Sequence, residues 1–543
     1  MKKMGKITNI PRFLPDKHGI IRFYQKPKKR GILTMTQKEV PFKYEQEKKE
    51  KNLTALCVLL LYIGLLDALK LDSIINKNLK VKADKQGYRD DQIILALILL
   101  NLAGGESVSD IKLLEKDEGF CRILKTMELR GVVGRRRENI KRRWRKKIKN
   151  TVATPSSIFR YLAYFHNEEE EKKREEGKAF IPRSNEYLSK FPEINTELVY
   201  FIHKKKPVKQ ATLDMDATLA ATTKESALHN YKGYKSYQPF NVWWFELDLL
   251  VHTEFRDGNV PAGYEQLRML EEILSRLPEG VEEVYIRSDT AGYQHNLLKY
   301  CDMGHNERFG RIRFAIGCDI TPAFKKSILL DKNLEWHPIY KIVKGEKRKS
   351  GQQWAEVCFV PNELCRSKKG REYRYIAVRE ELEQRRLPGM EENIQLPFPT
   401  MDINNKRYKV TAVVTNLDWF GENVIHWYRE RCGKSEEVHS VMKEDLAGGR
   451  FPSSDFGENA AWWWIMILAL NVQTIMKQFV LGKGWKNKRM KSIRFHIIHI
   501  PGRIVKESGG KSFVVRIANG HPSLNLLNLS REKIMELACL PSG

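Results

Sequence analysis

Two aspartates lie two residues apart in the short apolar segment ATLDMDATLA, residues 211–220. If this segment is a strand, Asp214 and Asp216 point to the same face, because side chains alternate along a strand. Carboxylates this close raise each other's pKa unless a cation lies between them. The pair is therefore either a solvated strand end or half of a metal site, and the segment alone does not decide between the two.

Other carboxylates stand where further metal ligands could come from. Asp289 ends the strand-like run VEEVYIRSD, and ligands of open α/β sheets gather at the carboxyl ends of strands. The same aspartate would serve equally well as the N-cap of a following helix. Glu436 and Glu437 lie in the helical stretch YRERCGKSEEVHSVMKED. Glu436 shares a helix face with Lys443, seven residues later, but this spacing alone favours an ordinary charged surface.

The elements that must position these side chains begin near residue 207, where the hydrophobic pattern changes. Apolar runs alternate there with the amphipathic helix YEQLRMLEEILSRL and with a helix after Asp289. This order of strands and helices predicts an α/β fold with a mixed sheet. The predicted segments are a first core part (207–304), a remaining core strand with a β-rich insertion (305–420), the last core helices (421–480) and a C-terminal region suited to dimerisation (481–543).

The chain before residue 207 is basic and then helical. Residues 1–52 carry 15 Lys or Arg, 5 acids and four prolines, which predicts an extended basic arm, with a disordered tail as the alternative. Residues 53–166 contain long apolar runs of helical length and predict a small helical domain. Residues 167–206 begin with EEEEKKREEGK and predict a charged connector.

The most basic segment of the helical part is RRRENIKRRWRKKIK, residues 135–149, with ten positive charges and one acid. Such a run is usually a solvated helix face, but the interleaved Trp144 favours phosphate binding. A capped helix, TPSSIFRYLAYF, follows, so the region predicts a DNA-binding module similar to a helix-turn-helix. The residues that we expect to contact phosphates are Arg135, Arg136, Arg142, Arg143 and Lys146.

The whole chain of 543 residues has 95 Lys and Arg against 67 Asp and Glu, a formal net charge of +28. A pI near 9.6 indicates a polyanionic partner, most often nucleic acid. Eight scattered cysteines form no C-x-x-C pair, which argues against a zinc ribbon and fits a reducing compartment. The apolar stretch WWWIMILALNVQTIM includes Asn471 and Gln473 and predicts a buried helix rather than a membrane span. We therefore expect a soluble cytoplasmic protein.

The order Asp216, Asp289 and Glu436, with a β-rich segment before the glutamate, resembles the acidic triad of the DDE transposases of bacterial insertion sequences. The segments LDMDAT, RSDTAGY, YRERCGKSE and GGRFPSSDFGENAAWW are similar to the insertion-sequence thirteen-eighty branch of this superfamily. The family pattern places its first aspartate before a Thr-containing step, which favours Asp216 as the ligand and leaves Asp214 as its neighbour or, alternatively, as the ligand itself.

A second set of residues resembles the Tyr-Arg-Glu-Lys signature of that superfamily, Y-x2-R-x3-E-x6-K. Tyr428, Arg431, Glu436 and Lys443 match its residue types in order. Four residues, CGKS, stand between the arginine and the glutamate instead of three. This departure leaves Glu437 as an alternative, although the spacing to Lys443 favours Glu436.

The resemblance implies a ribonuclease-H-like catalytic core in which Asp216, Asp289 and Glu436 bind two Mg²⁺ ions, with Mn²⁺ as a substitute. Two such ions stabilise both the attacking and the leaving oxygen of a phosphodiester. The implied partner is double-stranded DNA, as terminal inverted repeats and as target, held by a homodimer. The implied reaction is cut-and-paste transposition through a hairpin, in the nucleoid region of a prokaryotic cytoplasm. A nuclease without strand transfer and a non-catalytic DNA-binding relative are the alternatives.

DNA contacts near the acids follow partly from the resemblance and partly from the loop HNYKGYKSYQPF, residues 229–240. This loop interleaves tyrosines with lysines, a composition suited to a nucleic-acid backbone, with a plain surface loop as the alternative. The residues expected to contact DNA are Tyr428, Arg431, Lys443, Tyr231, Lys232 and Lys235. A flipped base could stack on one tryptophan in or beside the insertion, although a core role is the default for each: Trp336, Trp354 and Trp419.

Overall fold

The computed structural model describes residues 52–82, 87–129, 133–135, 137–138, 151–361, 373–382, 396–404, 406–507 and 512–539. The predicted basic arm, apart from Asn52, lies outside these residues. Of the predicted phosphate contacts in the basic segment, Arg135 is described and exposed. The others lie outside the described residues: Arg136, Arg142, Arg143 and Lys146.

The described chain alternates helical and strand-rich stretches. Its strands are β1 (Leu53–Thr54), β2 (Gln210–Ala217), β3 (Ala220–Ala221), β4 (Ser236–Tyr237), β5 (Phe240–Trp244), β6 (Leu249–Glu254), β7 (Glu283–Ser288), β8 (Arg313–Cys318), β9 (His337–Val343), β10 (Glu346–Val357), β11 (Arg374–Glu381), β12 (Thr400–Ile403), β13 (Lys406–Thr415), β14 (Gly502–Lys506) and β15 (Phe513–Arg516). Its α-helices are α1 (Leu59–Ala68), α2 (Leu71–Asn78), α3 (Asp90–Ala103), α4 (Ile111–Lys116), α5 (Glu118–Glu128), α6 (Pro155–Leu162), α7 (Glu168–Glu171), α8 (Phe191–Lys205), α9 (Gln266–Ser275), α10 (His295–Asp302), α11 (Pro322–Leu330), α12 (Gly421–Arg429), α13 (Lys434–Ser440), α14 (Phe456–Ile475), α15 (Met490–Ile493) and α16 (Leu524–Cys539).

A ten-stranded mixed sheet forms the centre of the fold, as the α/β prediction requires. Its strand order is β6-β5-β2-β7-β8-β13-β11-β10-β9, and β12 pairs with β13. Strands β2, β7 and β8 run parallel, whereas β5 pairs antiparallel with β2 and β6 pairs antiparallel with β5. The parallel strands have their carboxyl ends at one edge, where side chains that follow them come close together.

The segment predicted as a β-rich insertion extends this sheet. Strand β13 pairs antiparallel with β8, from Ala412 opposite Cys318 to Thr415 opposite Ala315. Strands β11, β10 and β9 then add one after another, each antiparallel to its neighbour. The sheet is therefore continuous from the first core part (207–304) into the segment predicted as core strand and insertion (305–420). The outer edge of β8 is covered by β13.

The helices of residues 53–166 pack against later parts of the chain. Residues 51–543 form one compact unit, and one buried hydrophobic cluster runs from α1 and α3 through α14 to the sheet. Helix α1 packs on the C-terminal helix α16, α3 packs on α14, and β1 pairs with β14. The apolar faces of these helices are buried by elements that lie hundreds of residues later, and the assignment of residues 53–166 as a DNA-binding domain stays a prediction.

The predicted charged connector, 167–206, contains the buried helix α8. One face of this helix is buried and carries apolar residues at helical spacing: Phe191, Ile194, Leu198, Val199 and Ile202. Asn195, also buried, donates hydrogen bonds from Nδ2 to the carbonyl oxygens of Leu250 and Val251, at 3.0 and 2.9 Å. The sequence prediction of a connector relied on the acidic run before the helix and did not use the amphipathic pattern of residues 191–205.

Helix α6 begins where the sequence predicted a capped helix. The Thr154 side chain accepts a hydrogen bond from the Ser157 amide, which satisfies an amide left unpaired at a helix start. Ile158, Tyr161 and Leu162 are buried. The helix packs on α14 through this face, so only its opposite side is available to a partner.

Helix α14 is the centre of the core. With the π-helical turn that extends it, the helix is long and apolar enough to cross a membrane, and 83% of its most apolar window is buried inside the protein. All 20 residues of α14 are buried. Asn471 bonds from Nδ2 to Asn195 Oδ1 at 2.8 Å and accepts from the Leu250 amide at 3.0 Å, so the polar residues of the predicted buried helix have partners within the protein.

His252 on β6 gives the fold a predictable dependence on pH. Its ring packs edge-on against Trp464 at 5.8 Å between centroids, and burial lowers the pKa of His252 from 6.5 to about 3, with a smaller lowering by Arg276. The folded state therefore resists protonation while the unfolded state takes up a proton below pH 6.5. Stability is fully present above that pH and is lost as pH falls, by about 2 kcal/mol at pH 5.

We expect His252→Leu to reduce this loss between pH 7 and pH 5, measured by urea unfolding at both values. The exposed His496 supplies the control, and His496→Leu should keep the wild-type dependence. An identical pH dependence in wild type and His252→Leu would contradict the assignment.

Candidate active site

Adjacent strand ends bring Asp216 and Asp289 together. In the parallel pairing of β2 with β7, Met215 lies opposite Ser288, so the next residue of each strand is one of the two aspartates. Asp289 accepts a hydrogen bond from the Ala291 amide at 3.1 Å, so it also caps the short turn that follows. The cap interpretation of Asp289 is therefore confirmed, its role as a metal ligand stays a prediction, and both aspartates line one cavity.

The charge of Asp216 is poorly stabilised by the protein alone. The pKa of Asp216 is raised to about 6, chiefly by burial and in smaller part by Asp289 and Asp214, while Arg431 acts in the opposite direction. The Arg431 guanidinium lies 3.5 Å from Asp216 Oδ2. A buried carboxyl beside a second carboxyl is the environment that a divalent cation stabilises.

Asp214 has a different partner from the one that the sequence suggested. It forms a two-pronged ion pair with Arg287, from Nε to Oδ1 at 2.6 Å and from Nη2 to Oδ2 at 2.9 Å. The Arg287 guanidinium lies between the rings of Phe245 and Trp427, 4.6 and 5.0 Å from their centroids. The interpretation that a metal ion explains both acids on this strand face is wrong for Asp214, because Arg287 already compensates its charge.

Arg287 is a residue that the sequence analysis missed, although a signal was present. It follows the run Val-Tyr-Ile of β7 and stands two residues before Asp289, so it faces the same side as Asp289. The pairs Asp214–Asp216 and Arg287–Asp289 thus repeat the same spacing on neighbouring strands. The pairing of Asp214 with Arg287 depends on the strand register, which the sequence did not reveal.

Tyr428 and Arg431 lie against the acids from the side of α12. The Tyr428 hydroxyl lies close to Gly317 of β8, where a Cβ would stand only 2.9 Å from it. Burial raises the pKa of Tyr428 to about 12, partly offset by Arg431. The Arg431 side chain is 7% exposed, and its Nε has no hydrogen-bond partner among the described residues. Arg431 is thus an internal counter-charge of Asp216, and its contact with DNA stays a prediction.

Helix α13 carries the predicted third acid, but the structure does not bring it to the aspartates. Glu436 and Glu437 are both exposed, and the α13 residues that line the small cavity beside Asp216 are Lys434, Ser435, Val438 and His439. Within the described ranges, no group of three or more His, Cys, Asp or Glu residues is placed to hold a metal ion. Asp216 and Asp289 therefore fit two ligands of a divalent cation, and Glu436 as the third ligand stays a prediction.

Lys443 lies where the regular helix has ended. Residues 441–445 form a π-helical turn, in which the Leu446 amide bonds to the Val441 carbonyl oxygen five residues back, at 3.0 Å. The 3.6-residue repeat assumed for Glu436 and Lys443 does not continue through this turn. Lys443 nevertheless lines the cavity of the two aspartates and donates from Nζ to the Leu219 carbonyl oxygen at 3.0 Å.

The cavity of Asp216 and Asp289 has a volume of about 660 Å³ and also includes the predicted loop residues Tyr231 and Lys232. Lys235 of the same loop lines a neighbouring cavity. The loop therefore borders the acids, as predicted.

The three tryptophans considered for a flipped base all have packing roles. Trp354 is 4% exposed and packs edge-on against Phe420. Trp419 packs against Trp427, and Trp336 lies beneath the Arg379 guanidinium, 4.0 Å from the ring centroid. These contacts agree with the core role that was the default for each.

Two aspartates at the ends of neighbouring parallel strands of a mixed sheet are typical of enzymes that transfer nucleotidyl or phosphoryl groups with divalent metal ions. Comparison with known families narrows this class: the sequence matches the family of the transposase DDE domain, group 1, over residues 47–539. The chain therefore belongs to this family of transposases.

Among solved structures, the chain is similar to a piggyBac transposase in a synaptic complex with hairpin DNA, determined by cryo-electron microscopy. The sequence identity is 12%, the TM-score is 0.36, and the match covers 88% of this chain and 82% of that one. No curated protein matches the sequence significantly.

Proposed function

We propose that this protein is a DNA transposase that cleaves DNA at the ends of its own element and joins the freed 3′ ends to target DNA. The observation that carries the proposal is the placement of Asp216 and Asp289 side by side in one cavity of a chain that belongs to a DDE transposase family. The strand order β6-β5-β2-β7-β8 also supports a ribonuclease-H-like core. Strands β2, β5 and β6 form an antiparallel meander, and β7 and β8 run parallel to β2.

The chain's own residues would act by binding, orientation and charge. Asp216 and Asp289 would hold divalent cations, with Glu436 as the expected third ligand. Bound Mg²⁺ supplies a Lewis acid for the phosphate and lowers the pKa of a nucleophilic water. Arg431, 3.5 Å from Asp216, favours the ionised form of this carboxyl. Lys443, at the edge of the cavity, would hold a phosphate as a point charge.

The finer features follow from the resemblance and are part of the proposal. They are membership of the thirteen-eighty branch of bacterial insertion sequences, recognition of terminal inverted repeats, a hairpin intermediate in cut-and-paste transposition, a homodimer in the DNA complex and a prokaryotic cytoplasmic location. The formal net charge of +28 supports the DNA partner, because a polyanion is the expected ligand of such a chain.

The proposal is tested with a supercoiled plasmid that carries the sequences flanking this gene. We expect Mg²⁺-dependent nicks at the element ends that leave 3′ hydroxyls, and joining of pre-cleaved ends to a second plasmid. Nicking without joining would instead identify a nuclease that lacks strand transfer. Tight binding without any nicking, also with Mn²⁺ and with both ends on one plasmid, would identify a non-catalytic DNA-binding relative.

A pair of neighbouring glutamates tests the third ligand. We expect Glu436→Gln to reduce nicking by about a hundredfold or more, because a ligand carboxylate would lose its charge, as estimated from metal contributions of several kcal/mol. Glu437→Gln is the matched control, since Glu437 is equally exposed on α13 and lies near Lys477. Loss of nicking in Glu437→Gln with normal activity in Glu436→Gln would reverse the assignment.

A further inference from the structure

Two cavities adjoin beside the candidate active site. The first, of about 660 Å³, contains Asp216 and Asp289, and the second has a volume of about 1010 Å³. Tyr234 lines both. The second cavity lies between residues 106–110 and Phe159 on one side and the turns around 221–224 and 449–452 on the other. We call these two cavities with their shared residue Tyr234 the channel; it extends from the aspartates to residues 106–110 and Phe159.

Three exposed aromatic rings follow this channel. The exposed fraction is 77% for Tyr231, 39% for Tyr234 and 39% for Phe159. Leaving such rings in water forgoes a large part of the stabilisation that burial would give. Exposed apolar groups gathered around a cavity commonly mark a binding surface.

The two tyrosines are presented by an ordered turn. Asn230 is buried, donates from Nδ2 to Ser236 Oγ at 2.8 Å and accepts from the Lys232 amide at 2.8 Å. The turn closes with the Asn230 amide bonded to the Tyr234 carbonyl oxygen at 3.0 Å, and Gly233 supplies a left-handed conformation at φ 82°. The tyrosines therefore stand in solvent on a fixed support, which lowers the entropy lost on binding.

Basic side chains accompany the rings. Lys232 lies over the Tyr231 ring, 5.6 Å from its centroid, and the other cations that line the two cavities are Lys224, Lys235, Arg450 and Lys443. The second cavity also has two acids. Asp110 accepts hydrogen bonds from two backbone amides of its own turn, and Glu106 forms an exposed ion pair with Arg450 at 3.7 Å.

We propose that this channel, defined by Tyr231, Tyr234 and Phe159, binds unpaired nucleotides of the DNA strand that leads to Asp216 and Asp289. Sites for single strands combine a cationic groove with aromatic rings on which bases stack. In a regular duplex the base faces are covered by neighbouring bases, so stacking on side-chain rings is favoured for unpaired nucleotides. The inference deepens the proposed function and rests on it: it states which form of the DNA substrate lies beside the acids.

The test uses the full-length protein and a fluorescent oligothymidylate of about 15 nucleotides, a length that fills a typical single-strand site. We expect Tyr234→Ala and Phe159→Ala each to weaken binding of this probe about tenfold or more, and Tyr234→Phe to bind like wild type. Binding of a duplex of the same length should be unchanged in all three variants. Tyr200→Ala is the matched control, because Tyr200 is 38% exposed on α8, outside both cavities.

The proposal is overturned if wild type does not bind the oligothymidylate, if the two alanine variants bind it like wild type, or if they lose duplex binding to the same extent. Nicking of the element-end plasmid, measured on the same proteins, separates this result from the proposed function. If wild type nicks the plasmid and both alanine variants still bind the oligothymidylate normally, the single-strand site is rejected and the proposed function is retained. If wild type never nicks the plasmid but both alanine variants lose single-strand binding, the transposase chemistry is rejected and the single-strand site is retained.

Discussion

Asp289→Asn is expected to abolish Mg²⁺-dependent nicking, and Asp216→Asn to do the same. Each change replaces a charged oxygen ligand at the strand ends with a neutral amide while keeping the shape of the side chain. We expect a loss of about a thousandfold or more, because metal-assisted charge stabilisation contributes several kcal/mol and roughly 1.4 kcal/mol corresponds to a factor of ten. The measurement is the initial rate of nicking of an element-end plasmid, with strand transfer of pre-cleaved ends as a second readout.

The fold should survive both changes. Burial raises the pKa of Asp216 to about 6, so its ionised form costs stability at neutral pH, and Asp216→Asn should unfold at the same temperature as wild type or higher without metal. Added Mg²⁺ should raise the unfolding temperature of wild type and not that of either variant, because a ligand that binds the folded state stabilises it.

Asp319→Asn is the matched control for this experiment. Asp319 follows β8 as Asp289 follows β7, but it is exposed, and it does not line the cavity of the two aspartates. Its variant should nick at the wild-type rate. Wild-type nicking by Asp289→Asn, with purity checked by the absence of activity in a parallel mock preparation, would show that the assigned active site is wrong.

The second large effect concerns stability and centres on Arg287. Arg287→Met leaves the Asp214 carboxylate buried without its two-pronged partner, and breaking a buried pair in this way costs about 3–5 kcal/mol. Arg287 also donates from Nη1 to the Trp427 carbonyl oxygen at 2.6 Å, so the attachment of α12 to the sheet weakens in the same variant. The measurement is the free energy of unfolding from urea titration.

A double variant separates the pair from the general loss of packing. Arg287→Met combined with Asp214→Leu removes both charges, and we expect it to recover most of the lost stability, because an apolar pair of similar volume often replaces a buried ion pair without cost. Arg348→Met is the surface control: Arg348 and Glu346 are 61% and 69% exposed, and losing such a pair costs under about 1 kcal/mol. Equal destabilisation in the single and double variants would contradict the assigned role of the pair.

Local patterns predicted the parts of the site that depend on neighbours in sequence. Alternation along β2 and β7 placed Asp216 and Asp289 at strand ends, and the loop with Tyr231 was expected beside them. Both expectations depend only on the two-residue alternation of side chains along a strand and on the order of strands and helices. Both features can be read from the sequence. The buried helix around Asn471 was predicted on the same basis, from its apolar length.

The sequence was least informative where a distant segment decides the environment of an element. Helix α8 lies in a segment that its acidic start made resemble a linker, and its apolar face is buried on β6 and α14. The helices of residues 53–166 could not be assigned to the common core from sequence, because their partners α14 and α16 lie hundreds of residues later.

The sequence by itself indicated a DDE transposase, the mixed α/β class and the strand-end positions of Asp216 and Asp289, since residue types, spacing and periodicity are local properties. Only the tertiary structure decided that Asp214 belongs to Arg287 and Asp216 to the cavity, because this choice depends on the register between strands 73 residues apart. It also decided that Glu436 is exposed and that Tyr234 joins two cavities. The free energy of each charged side chain depends on what surrounds it in space, and the fold alone supplies those surroundings.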